Sequence, residues 1–172
     1  MHHDMKPHVP SAIIALAALG LIGLGPTPAQ AQITFEQAGI AMDAAEAEAR
    51  ANGWNLAILI TDAEGVPVYL RRMDGASERT YEIASMKCHT VLTTGGPSGD
   101  YGRALAAGTT DTIPGGIGFD GGLPIIVDGT LIGAMAASGA RGTEDAQAVR
   151  AGLAAIGADA GNATEGERRD IP

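Results

Sequence analysis

The sequence predicts an α+β fold, in which helices pack on an antiparallel sheet. Two pairs of short apolar runs are each joined by a tight polar turn, which is the pattern of a β-hairpin. Stretches with apolar residues at spacings of three and four, the helical period, precede, separate and follow these pairs. The predicted order is therefore helix, two strands, helix, long loop, two strands, helix.

The first half of this order begins with a helix whose apolar face consists mostly of alanine. We expect Thr34 and Gln37 to form a capping box at its start, and Asn52 followed by glycine to end it. The run Leu56–Ile60 is continuously apolar, which is typical of a strand covered on both faces. The second strand, Val66–Arg72, has a proline near its start, as an edge position allows.

A second helix is predicted from Ser77, as its N-cap, to about Thr94. The residues expected on its buried face are Tyr81, Ala84, Cys88 and Val91. The loop that follows, Gly95–Gly122, has 28 residues and ten glycines, and loops of this length in compact domains are usually functional or disordered. A short helix is expected within it at Tyr101–Ala107.

The last elements are a second hairpin and a helix. Strands are predicted at Leu123–Val127 and Leu131–Ala137, joined by a tight turn at Asp128-Gly129. Thr143 is expected to cap the final helix. The residues predicted on its buried face are Ala146, Val149, Leu153 and Ile156.

Composition excludes several classes of function. With 11 basic and 20 acidic residues the net charge is −9, and only 3 % of residues are aromatic. Binding to DNA or RNA is therefore not expected, because it depends on positive charge and stacking side chains. The only cysteine, Cys88, excludes an intramolecular disulfide and a zinc or iron–sulfur site built from cysteines.

The N-terminus has the three parts of a secretory signal peptide. Lys6 precedes the uncharged run Ala12–Gly25, which is too short to span a bilayer, and Ala29-Gln30-Ala31 forms a small-x-small cleavage site. We predict a signal peptide at 1–31, a domain at 32–157 and a flexible tail at 158–172. A buried N-terminal helix is the alternative for the apolar run.

Few residues offer site chemistry, and none forms a catalytic constellation. His89 is the only histidine after residue 8, and it lies on the less apolar side of the second helix. It is either a haem or metal ligand or an ordinary polar helix residue. Asp43 and Glu46 share one face of the first helix, so they form either a weak iron site or a solvated surface. The segment Gly116–Gly121 matches G-x-G-x-x-G but lacks the preceding strand and following helix of a dinucleotide site.

The motifs, in their order and spacing, resemble the GlcG/HbpS-like haem-binding family, which includes the C-terminal domain of PduO. The resemblance covers about Ile33 to Ile156. The motifs that carry it are Leu70–Ala76, Tyr81–Ala84 with Lys87 and Thr90, Ile113–Gly115, Phe119–Pro124, Asp128-Gly129, Ile132–Ala134 and Ser138-Gly139. Where relatives often have Lys-Ala-x-Thr, this chain has Lys87-Cys88-His89-Thr90.

The resemblance implies a profilin-like fold with a sheet of about five strands, assembly into homo-oligomers and bound haem. For the secreted branch it also implies a membrane sensor kinase as partner. The alternative functions are an enzyme or accessory protein for a small oxygenated metabolite, and an iron-sequestering protein. The expected haem site lies near the second helix and the glycine-rich loop, with His89 as axial ligand. The other residues expected there are Met86, Lys87, Arg72, Thr109 and Thr112.

Overall fold

The computed structural model describes residue 1 and residues 32–161. These residues form four helices and one four-stranded sheet. The elements are α1 (Phe35–Ala51), β1 (Ala57–Asp62), β2 (Pro67–Arg72), α2 (Arg79–Thr94), α3 (Ser98–Ala106), β3 (Gly122–Val127), β4 (Thr130–Ser138) and α4 (Gly142–Ala155).

All strand pairs are antiparallel, and the strand order is β2-β1-β4-β3. Because side chains alternate along a strand, each strand contributes to both faces of the sheet. One face, with Ile58 and Met135, packs against α1 and α4; the other, with Leu59 and Ala136, packs against α2. The molecule therefore has three layers with a separate apolar core on each side of the sheet. The α+β prediction and the profilin-like arrangement are confirmed.

Local sequence signals set the ends of several elements. The capping box at Thr34 and Gln37 is present, and Asn52 ends α1 as predicted. The turn between β3 and β4 has positive φ at both Asp128 (49°) and Gly129 (74°), as a two-residue hairpin turn with the strands' right-handed twist requires. Strand β2 lies at an edge of the sheet, where a proline near its start is tolerated.

Three details of the predicted helices are wrong. Helix α2 begins at Arg79, and Ser77 contributes its carbonyl oxygen to Thr80 instead of a side-chain cap. Tyr81 is 40 % exposed, although it was predicted on the buried face of α2. Helix α4 is preceded by Arg141, whose backbone N–H donates to the Glu144 carboxylate at 2.9 Å, so Thr143 lies inside the helix.

The sheet has four strands among the described residues where the resemblance implied about five. The glycine-rich loop contains α3, close to the predicted helix, and irregular backbone with positive φ at Gly108, Gly115 and Gly121. A continuous strand cannot form through such positions.

The predicted signal peptide lies outside the described residues apart from Met1, as does the tail beyond Gly161. The first tail residues are described, and Asp159 exchanges two backbone hydrogen bonds with Ile126 of β3. None of the helices in the described part is long and apolar enough to cross a membrane.

Candidate functional site

His89 connects helix α2 to the glycine-rich loop. Its side chain is exposed, and its Nε2 atom lies 3.1 Å from the carbonyl oxygen of Pro114. Because a carbonyl oxygen only accepts hydrogen bonds, Nε2 carries the proton, and in a neutral imidazole the lone pair is then on Nδ1. Within the described residues Nδ1 has no hydrogen-bond partner. The ring is thus oriented by the loop and keeps one nitrogen available to a ligand or metal.

The loop beside His89 is fixed to the helices by two further hydroxyl groups. The Thr90 hydroxyl accepts from the N–H of Ile117 at 2.8 Å and lies 3.1 Å from its carbonyl oxygen. The Tyr101 hydroxyl on α3 accepts from the N–H of Ile113 at 2.9 Å. These contacts define the position of the Pro114 carbonyl and therefore the orientation of the imidazole.

Lys87 forms a buried ion pair. It is 1 % exposed, and its Nζ donates to Asp145 Oδ2 and to the Ala137 carbonyl oxygen, both at 2.8 Å. The second Asp145 oxygen accepts from the N–H of Ala140 at 3.0 Å. Burial lowers the pKa of Lys87 and raises that of Asp145, and the opposite charge of the partner offsets part of each shift. The pair joins α2, β4 and α4 inside the fold.

A cavity of about 420 Å³ lies between α2 and the first hairpin; we call it the hairpin cavity. Its wall residues include Leu59, Thr61, Tyr81, Ser85, Cys88 and Leu92, with His89 also in the lining. The hydroxyl oxygens of Thr61 and Ser85 are buried and have no hydrogen-bond partner in the described part of the chain. Burial raises the pKa of Cys88 to about 12, and the neighbouring Thr61 hydroxyl opposes the shift without reaching good hydrogen-bond geometry. The cysteine is therefore a neutral thiol.

Asp43 and Glu46 lie on one face of α1, and both pair with Arg71 of β2. The Arg71 guanidinium is 2.9 Å from Asp43 Oδ1, lies over the Tyr69 ring and also contacts Glu46. Its hydrogen bond to Glu46 lowers the pKa of that carboxyl. No group of three or more His, Cys, Asp or Glu side chains suited to a metal occurs among residues 32–161. The two carboxylates thus bind a protein cation in this structure.

The other residues expected at the haem lie in different surroundings. Met86 is partly buried one turn before His89. Arg72 is exposed on β2 and donates to the Ala76 carbonyl oxygen at 2.9 Å. Thr109 and Thr112 are exposed in the loop, and the Thr109 hydroxyl donates to the Ala104 carbonyl oxygen. His89 and the glycine-rich loop are brought together as expected, whereas the Lys87 ammonium lies in the interior.

Sequence reasoning missed the cavity hydroxyls and the partner of Lys87. Ser85, His89 and Leu92 recur at spacings of four and three on α2, which was a usable signal for one wall of the cavity. Nothing local indicates that Asp145 is buried, because acidic residues are ordinary in the first turn of a helix.

The family model described as "Haem degrading protein HbpS-like" matches residues 33–154. The chain belongs to the HbpS-like family. The protein GlcG of Escherichia coli K12 is 31 % identical over 108 residues, which are 62 % of this chain and 81 % of GlcG. This confirms the family that the motifs indicated.

Two solved structures show the same fold. A double mutant of HbpS from Streptomyces reticuli has a TM-score of 0.69 at 31 % identity, covering 84 % of this chain and 97 % of the other. A complex of PduOC with haem has a TM-score of 0.66 at 22 % identity, covering 77 % and 100 %. The second comparison supports the fold alone.

Proposed function

We propose that this protein binds haem as an exported member of the HbpS-like family. The observation that carries the proposal is the family match, which extends across residues 33–154 and so includes the whole sheet and the described helices except the last residue of α4. PduOC, which has the same fold, has been solved as a complex with haem. This chain's own residues support the proposal with the exposed imidazole of His89, which lies beside the glycine-rich loop.

In this proposal His89 would hold the haem iron through Nδ1, because Nε2 is hydrogen-bonded to the Pro114 carbonyl oxygen. The hydrogen bond from Nε2 to the Pro114 carbonyl oxygen would orient the ring and raise the basicity of the ligating nitrogen, as partners of metal-bound histidines do. Lys87 does not take part, because its ammonium is paired with Asp145. Haem propionates would need cationic partners. Arg72 is one of the residues predicted for the site; it is exposed and has no carboxylate partner in the described residues.

A haemin titration of the haem-free protein tests ligation. We expect a Soret band that shifts in the His89→Ala variant, with affinity lower by at least ~10-fold, which corresponds to about 1.4 kcal/mol. Glu82→Ala, an exposed position two turns earlier on α2, is the matched control and should behave like the parent. An unchanged spectrum and affinity in His89→Ala would exclude His89 as the ligand.

Export rests on the order of charge, apolar run and cleavage site in 1–31. We expect mass spectrometry of the exported protein to show Gln32 at the N-terminus. An exported form that retains the leader would contradict cleavage at this site.

Assembly into a homo-oligomer is supported by large apolar side chains that the single chain leaves exposed. Phe35 is 69 % exposed, Phe119 60 % and Leu70 46 %, and such side chains often lie in subunit interfaces. Light scattering should give a closed multimer at micromolar concentration, and a monomer would count against the proposal. Binding to a sensor kinase would require the same exported location.

A further inference from the structure

We propose that the hairpin cavity binds a small neutral molecule that carries a hydroxyl or carbonyl group. His89 also lines this cavity, but the inference rests on the hydroxyl groups of Thr61 and Ser85 and does not depend on the proposed function. Its volume of about 420 Å³ falls in the range of small-molecule sites. One wall comes from α2 and the other from the end of β1 and the turn to β2.

Two unpartnered hydroxyl groups indicate the polar end of the ligand. Thr61 is 2 % exposed, and its Oγ1 atom has no hydrogen-bond partner among residues 32–161. The Ser85 Oγ atom on the facing helix is also buried and lacks a partner in that part of the chain. A buried polar group without a partner destabilises a fold, so each one requires an explanation. A ligand hydroxyl or carbonyl oxygen that reaches either group gives it a partner, because each hydroxyl can donate or accept.

The other lining residues indicate an uncharged ligand with an apolar body. None of the twelve lining residues is Lys or Arg, and the exposed Glu64 carries a negative charge. An anion would therefore find no lysine or arginine in the lining and would lie near the Glu64 carboxylate, which is unfavourable. Leu59, Leu92 and the Tyr81 ring offer apolar surface to the remainder of the molecule.

The Cys88 thiol forms part of the same wall without acting as a reactive group. It is 2 % exposed, and burial raises its pKa to about 12, so the nucleophilic thiolate is not populated near neutral pH. We therefore infer reversible binding and no covalent step.

Three probes of nearly equal size test the inference on the haem-free chain: benzyl alcohol, toluene and benzoate. Ligand-observed NMR titrations should show benzyl alcohol binding at least ~5-fold more tightly than toluene, as one to two added hydrogen bonds allow. Benzoate should bind more weakly than benzyl alcohol. In spectra of the protein itself, the chemical-shift changes caused by benzyl alcohol should fall on Thr61, Ser85 and Leu92.

The variant Thr61→Val removes the hydroxyl and keeps the shape of the side chain. We expect it to lose most of the preference for benzyl alcohol over toluene and to melt at a higher temperature, because an unpartnered buried hydroxyl is gone. The matched control is Thr130→Val, at an exposed position of β4 outside the cavity, which should leave the preference unchanged.

Several outcomes would overturn the inference. They are equal affinities for benzyl alcohol and toluene, tighter binding of benzoate, a preference that survives in Thr61→Val, and no binding of any probe at millimolar concentration, which would assign the cavity to water. Haem affinity enters none of these measurements, so failure here and failure of haem binding can be told apart.

Discussion

Replacing one partner of the Lys87–Asp145 pair should destabilise the protein severely. Both side chains are almost fully buried, at 2 % and 3 % exposed, so either charge left alone has neither water nor a counterion. In Lys87→Met the Asp145 carboxylate would keep only the N–H of Ala140, and in Asp145→Leu the ammonium would keep only the Ala137 carbonyl oxygen. Breaking a buried pair in this way costs about 3–5 kcal/mol.

That loss is large beside the total stability of a domain, which is about 5–15 kcal/mol. Urea denaturation at neutral pH, followed by circular dichroism, should show it directly for each single variant. The double variant, Lys87→Met with Asp145→Leu, should recover much of the loss because no charge remains buried. The exposed pair Arg103–Asp100 provides the control, and Asp100→Ala should cost less than about 1 kcal/mol. Single variants that lose no more than this control would refute the reasoning.

Three other substitutions test separate features. Gly121→Ala should cost about 2 kcal/mol or more in urea denaturation, because φ is 109° and the added Cβ would lie 2.7 Å from Lys87 Nζ; a neutral result would mean that the backbone adjusts freely. Thr34→Ala should cost about 1 kcal/mol by losing the capping box with Gln37, while no change would show that the end of α1 contributes little. Glu46→Gln tests pH dependence: the folded-state pKa of Glu46 is lowered, so its stabilising effect is present above the ordinary pKa and is lost as the pH falls through the folded value. The stability difference between parent and Glu46→Gln should therefore shrink as the pH falls below the ordinary carboxyl pKa of 4.5, and a constant difference would contradict the assigned cause.

The fold could be predicted wherever the signal lies within a few residues of the chain. The Thr34 capping box, the Asp128-Gly129 turn and the edge position of β2 all depend on local backbone chemistry, and all three are present. The start of α4 could not be predicted in this way. Thr143 has a good capping side chain, but Arg141 and Glu144 satisfy the helix terminus through the backbone of Arg141.

At the candidate site, too, features set by the local sequence could be predicted, whereas contacts with distant residues could not. That His89 is exposed follows from helical periodicity, and its place beside the loop came from the family resemblance. The burial of Lys87 was not predictable, because the partner that makes burial possible is 58 residues further along the chain. Tyr81 was expected in the core since it shares the period of Ala84 and Cys88, but it is exposed and lines the hairpin cavity. Only the tertiary arrangement determines such contacts.

The position of the Lys87–Asp145 pair has a consequence for how the molecule opens. Helices α2 and α4 cover opposite faces of the sheet, and the pair connects them around the end of β4, where the Ala137 N–H also bonds to the Gly121 carbonyl oxygen. Neither helix can separate from this end of the sheet without exposing a charge from the other. Amide hydrogens of α2, β4 and α4 should therefore exchange as one cooperative unit, whereas the turn between β1 and β2, at the other end and beside a cavity, opens alone. A ligand could then enter by local fluctuation of the hairpin while the rest of the domain stays closed.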